Sequence, residues 1–90
     1  MEFEWDAEKA TRNLAKHRVS FQDAATVFGD PLAMTYYDPD HSDEEDRFLT
    51  FGHSMTGEFL VVSHTDREDR VRIISARRMT RRERKSYEQE

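Results

Sequence analysis

Residues 59–76, FLVVSHTDREDRVRIISA, constrain the chain most. Two runs of β-branched and apolar residues flank a polar turn, which predicts antiparallel strands over Glu58–Thr65 and Arg70–Ala76 joined around Arg67–Asp69. Leu60, Val61, Val62, Val71, Ile73 and Ile74 have few apolar competitors in a 90-residue chain that is 36% hydrophobic and 37% charged. These strands are therefore expected at the middle of a sheet, and the other elements must cover them.

Local signals place those other elements. Phe3 and Trp5 alternate with Glu2 and Glu4 as in a short half-buried strand. Asp6 is an N-cap for a helix over Ala7–His17, with Ala7, Ala10 and Leu14 forming its apolar stripe. Ser20 with Asp23 resembles a capping box, Val19 is placed to staple against Ala24, and a second helix carries Phe21, Ala24, Ala25 and Phe28 until Gly29 and Pro31 stop it. Strand preferences return over Ala33–Tyr37 and Arg47–Gly52, on either side of the polar loop DPDHSDEED, and SMTG at 54–57 reads as a hairpin connection. Thr80 and Glu83 form the capping box of a short final helix ending near Tyr87. The order predicts one α+β domain over residues 1–90: an antiparallel sheet, two N-terminal helices packed on one face and a short C-terminal helix.

Composition removes several functions. Without cysteine there is no disulfide framework, thiolate metal site or cysteine nucleophile. No apolar run approaches the roughly 20 residues of a membrane span, and MEFEWD is acidic where a signal peptide would be basic, so a cytoplasmic location away from membranes is expected. His17, His41, His53 and His64 are dispersed, no metal-binding pair such as HExxH occurs, and DPDHSDEED lacks the glycine of a calcium loop. Neither metal nor cofactor is expected. Gly29, Gly52 and Gly57 build no phosphate loop, and Ser54, Ser63 and Ser75 sit in no nucleophile elbow.

Charge is divided unevenly. Up to Asp46 there are four basic and twelve acidic residues, whereas the window Arg67–Lys85 holds nine basic and three acidic ones. That window is suited to phosphate, and the acidic half to a basic partner. Metal-free RNA cleavage needs a base for the 2′-hydroxyl, cations for the phosphorane oxygens and an acid for the leaving 5′-oxygen. His64 and Asp66 are candidates for proton transfer, and Arg67 and Arg77 for gripping the scissile phosphate. Lys16, His17, Arg72, Arg78 and Arg81 are candidates for holding neighbouring parts of the RNA. The residues also admit structural readings: His17 closing the first helix, Asp66 shaping the turn, and Arg70 and Arg72 meeting an acidic partner.

Three segments, FEWDAEKATRNLAKHRVSFQDAATVFGDP, RFLTFGHSMTGEFLVVSHTDRED and RIISARRMTRRERKSYE, cover nearly the whole chain and together resemble the BrnT family of toxins. The resemblance implies a RelE-like ribonuclease fold and toxicity through RNA cleavage that stops translation. It also implies a hetero-oligomer with a BrnA-like ribbon-helix-helix antitoxin, with DNA reached only indirectly through that antitoxin. The family-like HTDR maps onto His64 to Arg67, ISARR onto Ile74 to Arg78, and LAKH onto Lys16 and His17. Asp66 stands where the family pattern has Glu, one methylene longer, and Met79 where a small residue is usual. A non-catalytic module that binds antitoxin or RNA through the same basic face is the alternative. A free-standing DNA regulator has no recognition helix to support it.

Overall fold

The computed structural model describes residues Met1 to Gln89. In chain order the elements are β1 (Glu2–Glu4), α1 (Ala7–His17), α2 (Phe21–Ala25), β2 (Met34–Tyr37), β3 (Phe48–His53), β4 (Phe59–Arg67), β5 (Arg70–Arg78) and α3 (Arg81–Glu88). The five strands form one sheet in the order β1-β5-β4-β3-β2. The hairpin β4–β5 and its neighbour β3 fill the centre, as the apolar runs require. All pairs are antiparallel except β1 with β5, which are parallel, so the sheet is mixed at one edge. The parallel pair arises because α1 and α2 carry the chain away before the antiparallel strands are laid down.

Strand alternation sorts the two faces. Leu60 and Val62 of β4 and Ile73 and Ala76 of β5 join Val19, Phe21, Ala24 and Val27 in the core, with Phe3, Trp5 and Phe28 packed around them. On the opposite face α3 lies over the start of β4, where Tyr87 meets Phe59 edge-on at 5.9 Å and the Arg84 guanidinium sits 3.9 Å from the Phe59 ring centre. Buried Gly52 marks where the β3 backbone meets the turn Thr26–Gly29 that follows α2: an added Cβ would lie 2.6 Å from a Val27 methyl.

The helix ends follow the sequence signals. Asp6 accepts from the Lys9 amide, Ser20 from the Asp23 amide and Thr80 from the Glu83 amide, and the Glu83 carboxylate in turn accepts from the Thr80 amide. Asp23 is different: its carboxylate accepts from the Thr56 hydroxyl, tying α2 to the β3–β4 turn. The second helix is also shorter than its apolar spacing suggests, since Thr26–Gly29 tighten into a 3₁₀ turn. In α1, Leu14 is 49% exposed while Asn13 is buried. The helix is rotated from its expected stripe because Asn13 has two strand hydrogen-bonding groups to satisfy. Its amide donates to the Ala76 and Val19 carbonyls and its oxygen accepts from the Ala76 N–H, at 2.9, 2.9 and 3.1 Å.

Candidate functional site

His64 lies inside the protein. It is 2% exposed, between Phe28 at 4.9 Å and Phe48 at 5.9 Å. Its Nε2 meets the Thr50 hydroxyl at 2.7 Å and its Nδ1 the Asp66 carboxylate at 3.0 Å. A carboxylate only accepts, which assigns the proton to Nδ1 and leaves Nε2 accepting from Thr50. Burial lowers the imidazole pKa against the opposing pull of Asp66, so the ring is held neutral. Both ring nitrogens are occupied. Asp66, on the same strand, is exposed.

Arg67, the last residue of β4, and Arg72 of β5 lie toward the β4–β5 turn, and Arg77 lies toward the other end of β5. Arg77 lies seven positions along the strand from Arg70, which pairs with Arg67. At about 3.3 Å per residue that is on the order of 20 Å, too far for one phosphate to bridge. Each of these arginines already holds a carboxylate. Arg67 reaches Glu45 at 2.9 Å, and Arg72 reaches Glu4 at 2.9 Å. Glu4 also receives Arg70 at 3.5 Å, and the hydrogen bond from Arg72, then that from Arg70, keeps its carboxyl below the usual range against some desolvation. Arg77 grips both Glu83 oxygens, at 2.8 and 3.0 Å. That fork is the main cause of Glu83 being lowered to about 2. Arg78 holds both Glu58 oxygens at 3.1 and 3.0 Å and donates to the His17 carbonyl at 3.0 Å.

Four of the nine cations in the basic window, Arg67, Arg70, Arg72 and Arg78, are therefore paired with carboxylates from distant positions, and Arg77 with Glu83 inside the window. Glu45 and Glu58 carry no local sign of this role. The alternation of Glu2 and Glu4 against Arg70 and Arg72 is the one legible hint, and it becomes meaningful only with the parallel β1–β5 register.

A different set of polar side chains stays accessible. Lys9, Arg12, Lys16 and His17 line a groove of about 320 Å³ with Asn13, Ile74 and Ser75, where α1 runs along the open edge of β5 beyond β1. Lys9 and Lys16 form no ion pair among the described residues, and Arg12 makes a loose 3.6 Å pair with Glu8. The Arg78 bond to the His17 carbonyl joins the end of α1 to the end of β5, and exposed Arg81 opens α3 three residues later. The structure thus brings Lys16, His17 and Arg78 to one end of the fold, and Asp66, Arg67 and Arg72 to the other. A larger concavity, about 670 Å³, is mainly apolar, lined by Phe3, Phe28, Pro31 and Met55, and its Asp30 is committed to the Tyr87 hydroxyl and the Leu32 and His53 amides. Among the described residues no three His, Asp or Glu side chains converge as metal ligands, and no helix is long and apolar enough to cross a membrane.

Comparison with known proteins places this architecture. The fold matches the crystal structure of the Brucella abortus ribonuclease toxin BrnT with a TM-score of 0.65 and 21% identity, over 90% of this chain and 99% of that one. No curated protein matches the sequence. The family model described as "Ribonuclease toxin, BrnT, of type II toxin-antitoxin system" matches residues 5–83, and the chain belongs to that family.

Proposed function

We propose that this chain is a metal-independent endoribonuclease that stops translation by cutting RNA in the cytoplasm, with its reaction centre at the end of α1. The carrying observation is the contrast between two histidines. His64 is sealed between two phenylalanines with both nitrogens bonded, whereas half-buried His17 lines the groove holding Lys9, Arg12 and Lys16.

In this reading the His17 imidazole takes the 2′-hydroxyl proton as that oxygen attacks phosphorus. A 2′,3′-cyclic phosphate forms, the P–O5′ bond breaks, and the 5′-oxygen leaves with a proton from an acid or water. Lys16 and Arg12 offset the charge gathering on the phosphorane oxygens, and Arg81 holds a flanking phosphate. Arg78 is a positioning residue that fixes the helix end carrying His17. His64, Asp66, Arg67, Arg72 and Arg77 support the scaffold: each is engaged by an internal partner that RNA would have to displace. A BrnA-like ribbon-helix-helix antitoxin neutralises the toxin and supplies any DNA binding.

The test is cleavage of a defined RNA by purified protein with chelator present, comparing wild type with His17→Asn. The expected loss is about 10²- to 10⁴-fold in kcat, with native circular dichroism and growth arrest abolished in cells. Full activity in His17→Asn would remove His17 from the chemistry, and dependence on added magnesium would overturn the metal-free mechanism. A folded chain that binds RNA without cutting it would favour the non-catalytic module.

A further inference from the structure

The sheet has two edges, and only one is protected. β1 is three residues long, and its Glu2 and Glu4 are engaged by arginines of β5. β2, at the other edge, is the uncharged MTYY. It carries none of the lysines, prolines or inward charges that usually blunt an edge. Because the Asp38 amide donates to the Arg47 carbonyl, alternation along the ladder gives Met34 and Tyr36 to β3 and turns the N–H and C=O of Thr35 and Tyr37 outward. Apolar side chains border this open ladder: Leu32, Tyr36 and Tyr37 are 65%, 49% and 53% exposed. Between β2 and α3 a groove of about 270 Å³ is lined by Met34, Tyr36, Phe51 and Tyr87 with Glu83 and Arg82 at its rim.

Beyond Tyr37 the chain enters the acidic loop. Asp40, Asp43 and Glu44 are exposed and form no ion pair among the described residues. Asp43 and Glu44 line a polar hollow with His41, Glu45 and Arg47. We propose that the β2 edge is a docking site for one extended segment of the antitoxin. That segment adds a strand against Thr35 and Tyr37, sets an apolar side chain in the groove beside Tyr36, and carries Lys or Arg to the acidic loop. A second copy of this chain lacks that chemistry. Antiparallel pairing of two β2 edges would set Asp30–Met34, which contains no basic residue, against the acidic loop. The identity of the partner rests on the toxin reading; the surface does not.

The experiment measures binding of the purified chain to the antitoxin encoded beside it, by calorimetry and by amide hydrogen exchange. Tyr36→Ser and the combined Asp40→Asn, Asp43→Asn, Glu44→Gln variant are each expected to weaken binding about 10-fold or more, the charge effect shrinking at high salt. The Thr35 and Tyr37 amides should exchange more slowly in the complex. RNA cleavage by the free variants should equal wild type, which separates this surface from the reaction centre. Unchanged affinity in both variants, or unprotected Thr35 and Tyr37 amides in the complex, would overturn the site. A homodimer that protects those amides without antitoxin would overturn the occupant. A chain that shows this binding pattern but cuts no RNA would sink the ribonuclease reading and leave the docking surface standing.

Discussion

The side chain of Asn13 stands in for a missing strand beside Ala76. Where β1 ends, the free edge of β5 would expose the N–H and C=O of Ala76 to an apolar interior, and the Asn13 amide bonds both. A buried backbone group without a partner costs about 1–3 kcal/mol. Asn13→Leu strands these two groups and also the Val19 carbonyl. It should lower stability by about 3 kcal/mol or more, read as a shift in urea midpoint at constant slope. A midpoint equal to wild type would show that water or another group already serves Ala76.

His64 predicts an acid-sensitive core. Burial holds its folded pKa below the usual value of 6.5. The unfolded chain then binds a proton more readily, so the stabilisation is complete above about pH 6.5 and is lost as pH falls through the folded value. His64→Phe should flatten that part of the pH–stability curve relative to wild type. Parallel curves would mean that the ring charges in place.

Glu83 acts in a lower window. Its pKa is brought from 4.5 to about 2 by the Arg77 fork. The depressed value means that stability is present above pH 4.5 and is lost between there and about pH 2. Arg77 is 41% exposed and Glu83 26%, so solvent screening reduces the effect to about 1 kcal/mol. Glu83→Gln should erase this segment of the acid-unfolding curve while weakening the α3 cap. The same pairing means that Arg77→Ala will destabilise the fold as well as change surface charge, and loss of toxicity in that variant needs an unfolding curve beside it.

Tyr87 fastens α3 through Asp30. Burial first, and then the bond to Asp30, push its hydroxyl up to about 12. A raised folded pKa gives stability that is present below the ordinary phenol value, about 10, and is lost as pH rises through 12. Tyrosinate absorbance should show one phenol titrating late, absent in Tyr87→Phe. That variant should lose about 1 kcal/mol and show faster amide exchange in α3. A late titration that persists without Tyr87 would place the perturbed phenol elsewhere.

Much of the fold is legible from neighbours in sequence. The caps at Asp6, Ser20 and Thr80 act over three residues, and the hairpin β4–β5 over a two-residue turn, so short-range chemistry defines them. The second helix is shorter than its spacing suggests because Phe28 keeps the helical spacing even though the backbone has tightened to a 3₁₀ turn. Leu14 lies outside, against its apolar stripe, because the stripe ignores the hydrogen-bonding need of the strand edge that Asn13 meets. The nine basic residues between Arg67 and Lys85 pointed to a phosphate-binding surface, yet the charge is largely spent internally on Glu4, Glu45, Glu58, Glu83 and Glu88.

Sequence by itself determined the element order, the central hairpin, the helix caps and the family, because each depends on residue spacing that does not change when the chain folds. Only the tertiary structure decided which histidine is sealed and which lines a groove, which arginines are already paired, and that β2 is an open edge. Those properties depend on strand register and on the two faces of the sheet, which bring together residues as far apart as Glu4 and Arg72. Burial and charge neutralisation are set by that non-local pairing, and no local pattern encodes it.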